Sequence, residues 1–578
     1  MQKLGFFQNR FSQKPVDDPI NISNQRYYKM EFDVAPFSKE FIKQARFAAP
    51  LGALLLGGAS ATQAVSQQST VPLHNHPTRI FSFETANMNP AGTIELDVGT
   101  IQTDPSGGVA TGNQLYFGGG SYALNDRFSF GLDIHSYQDP TVDPINGSFP
   151  DFITHLGALW GKYQLYDSGR VAIAAQASIE NFFTLESQLW GGKSNNVLAG
   201  SIKAPITFRA SNQLQFHLTP SVSVFPDTVN GAQFYGTIAS IGAGVSYKPS
   251  ERLAFFGSVD TPVSGENTIS NTATYESTPV WTVGGRYNVS PKVGLEGYVT
   301  NGVGYTPATS ILTHWPDGDR VLAGLRLVYT PGANKPDTYR GTPNPVTQHQ
   351  ANLQKDGFTL GTADVLEPGT FHFSAWGGQD SNAGGLLSFS PDRDFEIQLA
   401  FEQYSDNTTA PGGIVPTTKP RYMVGPKLRF MDQNNGDPFS LSARMLYGRQ
   451  IESGVGGIGV FFVDLLGSYK ANSRMTLNVS PKVATWGNTE LAGLGLGLNY
   501  AVTEDLELIG EVTPVGMDND EPTWAAGVRY NFGNSGFSVD ANVSNAIGRF
   551  GIGTMIAQDD PRVTIALSKT FGTKGVKF

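Results

Sequence analysis

The sequence predicts an all-β chain, an antiparallel up-and-down transmembrane β-barrel fold made of two homologous units of about twelve strands each. Three observations predict it. Strand-length segments alternate apolar and polar residues with period two. Their connections alternate strictly between short and long. The two halves of the chain also repeat one another in order.

Composition agrees with this reading and removes others. Charged residues are 16% against about 25% in typical soluble domains, while 67 of 578 residues are Gly and 11% are aromatic. The absence of Cys excludes disulfide frameworks, thiol chemistry and Cys-ligated metals. A net charge of -10 and a pI of 5.4 leave no basic stripe to neutralise phosphates, so no nucleic-acid partner is expected. Mean hydropathy is -0.20 and no apolar run reaches about 18 residues, which excludes a bundle of membrane-spanning helices.

Residues 1–30 have neither signal nor domain character and read as an extension, with Met30 as a candidate start. Residues 31–64 read as a secretory signal peptide. Lys39, Lys43 and Arg46 form its basic flank, Ala48 to Gly58 its short apolar core, and Ala59, Ser60 and Ala61 a small-residue cleavage site, with Ala64 as a second. The segment 1–64 carries eight Lys/Arg and five Asp/Glu, so the remainder is an exported acidic chain of net charge -13. Residues 65–80 read as a mature N-terminal tail. Its His74 and His76 have metal-ligand spacing, but two His in a tail are expected to be inert, and no metal or cofactor is expected.

The first barrel unit is placed at 81–331. In Arg127 to His135, the side chains Phe128, Phe130, Leu132 and Ile134 share one face while Arg127, Ser129, Asp133 and His135 share the other. Comparable alternation places strands near 93–99, 113–122, 127–137, 154–165, 170–180, 199–209, 213–224, 233–247, 252–260, 279–288, 292–300 and 320–330. Tight turns at 124–126, 166–169, 210–213, 248–251 and 289–292 interleave with long loops at 101–112, 138–153, 181–198, 225–232, 261–278 and 301–319. A sandwich has no reason to sort loop length by parity, whereas a barrel with periplasmic turns and external loops does. Phe208, Tyr247, Tyr287 and Tyr329 end strands beside the short turns, as an interfacial aromatic girdle would.

The second unit, 358–578, repeats the first. Phe81 to Thr93 matches Phe358 to Thr370 without a gap, QLQFHLTPSV at 213 matches RMTLNVSPKV at 474, WTVGGRYN at 281 matches WAAGVRYN at 524, and VTNGVG at 299 matches VSNAIG at 543. Between the units, 332–357 is rich in Pro and Asn and reads as a periplasmic linker. Two twelve-stranded barrels or one barrel of about 24 strands would both satisfy this pattern. The linker favours two, because a continuous meander needs only a short turn there.

On the signal, the strand pattern, the girdle and the C-terminal end, residues 81–578 resemble bacterial outer-membrane β-barrel proteins of the porin and channel type. The resemblance implies residence in the outer membrane among its lipids. It also implies recognition by the barrel-assembly machinery through a final strand ending in Phe571 or Phe578, and passive passage of small hydrophilic solutes.

Charged side chains on the polar face cost about 2–4 kcal/mol each if a basic one met lipid at mid-membrane, so alternation assigns them to the lumen. In the first unit these are Arg127, Asp133, Arg252, Asp260, Arg286, Glu296, Arg320 and Arg326. In the second they are Glu396, Glu402, Lys427, Arg429, Arg444, Glu507, Glu511, Arg529 and Arg562. They suit a hydrated, charge-selective pathway. The alternative is a structural or surface-interaction barrel with a closed, ion-paired lumen. A lipid-modifying barrel enzyme stands third, because His135, His155, His217, His314 and His372 show no recognisable Ser/His/Asn arrangement in the sequence, and no catalysis is expected.

Overall fold

Alternation lets each strand turn an apolar row outward and a polar row inward, and closure of the sheet leaves no backbone edge for lipid to meet. The computed structural model describes residues 76–102, 114–331, 339, 347–405, 420–450, 459–486, 489–517 and 521–572. The expected extension, the signal peptide and Phe578 lie outside them.

The first barrel is a meander of β1 (Ile94–Gln102), β2 (Gln114–Asn125), β3 (Phe128–Pro140), β4 (Asp151–Asp167), β5 (Val171–Ser187), β6 (Asn195–Lys203), β7 (Leu214–Val224), β8 (Thr237–Tyr247), β9 (Leu253–Ser264), β10 (Val280–Asn288), β11 (Val293–Thr300) and β12 (Leu322–Tyr329). Pro205 has no N–H to donate and interrupts β6, which resumes as Ile206–Arg209. Pairing of β12 with β1, Leu327 opposite Val98, closes the sheet. Each of the twelve strands expected in this unit is present.

The second barrel follows the same path through β13 (Thr370–Gly378), β14 (Ala383–Asp392), β15 (Phe395–Gln403), β16 (Arg421–Met431), β17 (Ser440–Gln450), β18 (Gly459–Asn472), β19 (Met475–Trp486), β20 (Thr489–Ala501), β21 (Leu506–Thr513), β22 (Thr523–Asn531), β23 (Phe537–Ala546) and β24 (Ala557–Gly572). Here Pro514 interrupts β21, which resumes as Val515–Met517. It closes where Phe371 of β13 pairs with Phe571 of β24. The chain therefore forms two closed twelve-stranded barrels and not one of 24, and the repeated segments fall on strands of the same ordinal in each.

Outward positions are exposed and apolar, including Leu96, Val98, Leu132, Ile134, Ile179 and Ile202 on one barrel and Phe373, Leu387, Leu477, Leu498, Ile565 and Leu567 on the other. Such a belt around a closed sheet is the surface of a transmembrane barrel, and these barrels belong to the outer membrane. β4 and β5 are 17 residues long, beyond the roughly 9–11 that cross a bilayer, so this hairpin continues past the membrane into what the sequence reads as loop 181–198.

The barrels touch near their short-turn rims. Val289, Val293 and Leu327 pack with Phe395 and Leu428, Tyr287 lies 5.8 Å from Phe430, and the Tyr329 hydroxyl donates to the Pro391 carbonyl at 3.2 Å. Two members of the expected girdle, Phe208 and Tyr247, face outward, while Tyr287 and Tyr329 serve this contact. A short helix, Gln348–Leu353, is capped by Thr347 and anchored by His349 on the Ser473 and Glu504 carbonyls in two short turns of the second barrel.

Candidate functional site: the two lumens

Apart from Thr370, which opens β13, the repeated opening motif forms no part of either wall. In each unit it runs inside the barrel from the short-turn end and then turns back into the first strand. Gly92 (φ 78°) and Gly369 (φ 73°) make that turn in the left-handed region, and each amide donates at 2.7 Å to a second-strand or neighbouring carbonyl, Ala123 and Ser390 respectively.

In the first barrel, residues 76–87 reach six strands. His76 contacts Ser246 of β8 at 3.2 Å and Arg79 bonds Asp133 of β3 at 2.7 Å. Glu84 takes Lys162 of β4 at 3.3 Å, and the Ala86 amide donates to Thr207 in the continuation of β6 at 2.9 Å. Asn87 bonds Gln215 of β7 at 2.9 Å, and Arg326 of β12 donates to the Phe81 carbonyl at 3.2 Å. Phe81 is buried among Phe117, Tyr298 and Tyr305.

The second barrel repeats this with different side chains. Asp356 takes Lys427 of β16 at 3.1 Å, and the Ser442 hydroxyl of β17 donates to the Ala363 carbonyl. The Ala363 amide donates to Ser468 of β18 at 2.8 Å, and Lys482 of β19 reaches the Thr359 carbonyl at 3.1 Å. Glu511 of β21 accepts the Phe358 and Thr359 amides at 2.9 and 2.7 Å, and Arg529 of β22 donates to the Asp356 carbonyl at 2.7 Å. Burial alone would raise the Asp356 carboxyl, but Lys427 and Arg444 outweigh it and hold the group well below the usual carboxylate range. Ala86 and Ala363 are equivalent in the repeat, and both amides bond a hydroxyl of the sixth strand.

From the opposite end, the loop between the eleventh and twelfth strands folds inward. In the first barrel, Glu180 accepts the Thr306 hydroxyl and the Ala308 amide, both at 2.5 Å, Lys203 donates to Ser310 at 2.6 Å, and the Tyr305 hydroxyl bonds Asp97. In the second, Glu402 accepts the Arg549 and Phe550 amides at 2.6 and 3.2 Å and Lys482 donates to Thr554 at 3.1 Å. Above the first lumen, Trp190, Phe225, Phe234, Tyr235 and Trp315 from the long loops form an apolar cluster. Burial, with Arg320 nearby, pushes the His314 imidazole down to about 4.

The charged positions read from the sequence fall into three settings. Asp133, Arg286, Glu296, Arg326, Lys427, Arg444, Glu511 and Arg529 meet in the ion-paired and hydrogen-bonded interior. Glu296 holds Arg286 and Arg326, both at 2.6 Å, and Arg444 pairs with Asp464 at 2.5 Å. Asp260 lies inward on β9, Glu396 accepts the Leu366 amide at 3.1 Å, Glu402 accepts the Arg549 and Phe550 amides of the inward loop, Glu507 accepts from Asn531 at 2.7 Å, and Arg562 bonds the Ala546 carbonyl. The remaining four are elsewhere. Arg127 is exposed on a short turn, Arg252 sits in another beside Tyr339, Arg429 pairs with Asp394 and Asp432 at the short-turn rim, and Arg320 pairs with Asp143 between long loops.

Sequence reasoning missed the partners inside the lumen, above all Arg79, Glu84, Asp356 and Arg549. Only Glu84 lies within an aligned segment, while Arg79, Asp356 and Arg549 lie just outside one, and the segments lack any strand period. It also missed that register places Ser136 opposite His155, with Oγ and Nδ1 2.9 Å apart on the outward face. No hydrogen bond holds the other His155 nitrogen among the described residues.

The architecture is that of a transmembrane β-barrel of the outer-membrane type, duplicated within one chain. No family model and no curated protein matches the sequence. Among solved structures, the chain is similar to the KdgM porin in complex with disordered oligogalacturonate, at 9% identity and TM-score 0.26, covering 35% of this chain and 99% of that one. It is similar to an outer membrane channel from Pseudomonas putida F1, at 14% identity and TM-score 0.29, covering 42% and 97%. The siderophore receptor PirA from Pseudomonas aeruginosa aligns at 9% identity and TM-score 0.22, covering 84% and 80%. None of these likenesses assigns a cargo.

Proposed function

We propose that the protein is a double-barrelled outer-membrane channel for passive passage of small hydrophilic solutes, with each barrel closed at rest by its own luminal segment and inward loop. One observation carries this reading. Each luminal segment bonds its wall through hydrogen bonds and ion pairs with polar side chains, chiefly so in the second barrel, whereas in the first Ile80, Phe81 and Phe83 also pack into an apolar cluster on the wall; water can solvate the polar surfaces when a segment withdraws. The final strand, which ends its outward row on Phe571, is the part we assign to the assembly machinery.

Liposome swelling with small sugars tests the channel. Replacing residues 355–364 by a Gly/Ser stretch of equal length should speed swelling several-fold over the parent. Equal impermeability of both proteins would favour the second reading, a closed surface-interaction barrel. The observation behind that reading is the aromatic cluster that roofs the first lumen.

A further inference from the structure

The two lumens differ in free space. The first holds cavities of about 60 and 30 Å³, whereas the second contains a chamber of about 620 Å³ that reaches the short-turn rim at Asn534–Gly536. That volume lies in the range of small-molecule sites.

One replacement in the repeat changes the cations of the second chamber. Alignment of VTNGVG with VSNAIG puts Tyr305 of the first unit where the second has Arg549. In the first barrel Arg79 of the luminal segment stacks on Tyr305 at 4.4 Å. In the second the guanidinium comes from the loop itself. Arg529 and Arg549 then share the single carboxylate Asp540, at 2.8 and 3.3 Å. Lys355 also lines the chamber and finds only an amide oxygen, that of Asn531, at 2.9 Å. Among these three cations the ion pairs run to Asp540 alone, while Asp356, Asp364, Glu367 and Glu396 also line the chamber and the first two pair with Lys427, Arg444 and Lys470.

The groups left without a partner among the described residues give the sign of a ligand. The side chain of Arg529 is only 5% exposed, yet its Nη1 has no acceptor, and neither have Arg549 Nη1, Trp376 Nε1 or Gln354 Nε2. All four are donors on residues lining this chamber, against the acceptor Asp364 Oδ2 and the ambivalent Ser538 hydroxyl. Buried donors without acceptors are costly, and a carboxylate is the acceptor that two adjacent guanidiniums fit best. Next to them lie three aromatic faces, Phe358, Trp376 and Phe550, and Arg549 already lies 5.6 Å from the Trp376 ring.

We propose that this chamber of the second barrel is a binding site for a small organic monocarboxylate with an aromatic body, its carboxylate on Arg529 and Arg549 and its ring among Phe358, Trp376 and Phe550. Binding does not require the barrel to conduct, so the site stands or falls apart from the channel reading.

The test uses the full-length protein in detergent, titrated with benzoate, benzyl alcohol and acetate by calorimetry and by the change in Trp fluorescence. Benzoate should bind saturably and at least about tenfold more tightly than either analogue, the difference expected for losing one charge-assisted contact or the ring. Arg549→Gln should weaken benzoate by about tenfold or more while keeping the unheated gel mobility of a folded barrel. Should that variant fail to fold, the comparison of analogues on the parent still decides. Benzyl alcohol binding as tightly as benzoate would overturn the anion site. Acetate binding as tightly would overturn the aromatic part, and absence of saturable benzoate binding would overturn the whole proposal.

Discussion

Glu296 and Asp540 occupy the same place on the eleventh strands of the two barrels, and each carboxylate is held between two guanidiniums. In the first barrel these are Arg286 from the neighbouring strand and Arg326 from the closing strand. In the second they are Arg529 from the neighbouring strand and Arg549 from the inward loop. The duplication kept the carboxylate and one Arg and drew the second Arg from a different element. The first barrel thereby ties wall to wall, and the second ties wall to loop.

Removing the shared carboxylate strands two buried guanidiniums, which costs about 3–5 kcal/mol where one partner of a buried pair is lost. Glu296→Gln should therefore lower the heating midpoint at which the folded band converts to the unfolded one, and more than Arg286→Ala does, because Arg286 is the more exposed of its two partners. Equal midpoints for Glu296→Gln and the parent would show that Glu296 is not holding the wall.

Acid should loosen the inward loop of the first barrel. His314 titrates near 4 in the folded protein against about 6.5 when free. Between those values the unfolded loop binds the proton and the folded one does not. Stability is then complete above about 6.5, declines as pH falls, and levels off below about 4, by roughly 3 kcal/mol at most. Fluorescence of the neighbouring Trp315 should shift to the red across that window in the parent and stay flat in His314→Gln. The same shift in both proteins would assign the change to another group.

The closing seam carries an aromatic row in which Phe571 stacks on Phe371 at 5.7 Å and Phe371 on Phe389 at 4.4 Å. Phe571→Ala removes its outer member at the pairing that closes the second barrel. The expected result is a several-fold loss of heat-modifiable protein in the outer membrane with unchanged synthesis, measured on unheated gels. A full yield of folded protein would take Phe571 out of the assembly step.

The walls are legible in the sequence because side-chain period two and the parity of connection lengths are both local signals, and each strand expected in the first unit is present, although β5 runs on through Ser187 into the expected loop 181–198 and β6 starts within it at Asn195. The duplication was equally legible, since WTVGGRYN and WAAGVRYN fall on the tenth strand of each barrel. What filled the lumens was not. Phe81 to Thr93 and Phe358 to Thr370 match without a gap, yet their period is neither that of a strand nor of a helix, and nothing local says that Ala86 will meet Thr207, 121 residues away. The inward loop left a fainter signal. From Asn301 to Trp315 there is no Asp, Glu, Lys or Arg, unusual for a long external loop and consistent with burial. Pairings such as Arg549 with Asp540 depend on that loop's path and are invisible to periodicity.

The most direct test of the central claim is single-channel conductance in planar bilayers of protein carrying Ala86→Cys with Thr207→Cys and Ala363→Cys with Ser468→Cys, recorded before and after a reductant. The parent has no Cys, so the only disulfides are the two that lock each luminal segment to its sixth strand. If the segments are the gates, the oxidised protein is silent and the reduced protein opens in two independent steps, one for each barrel. Steady conductance through the oxidised protein, equal to that after reduction, would contradict the claim.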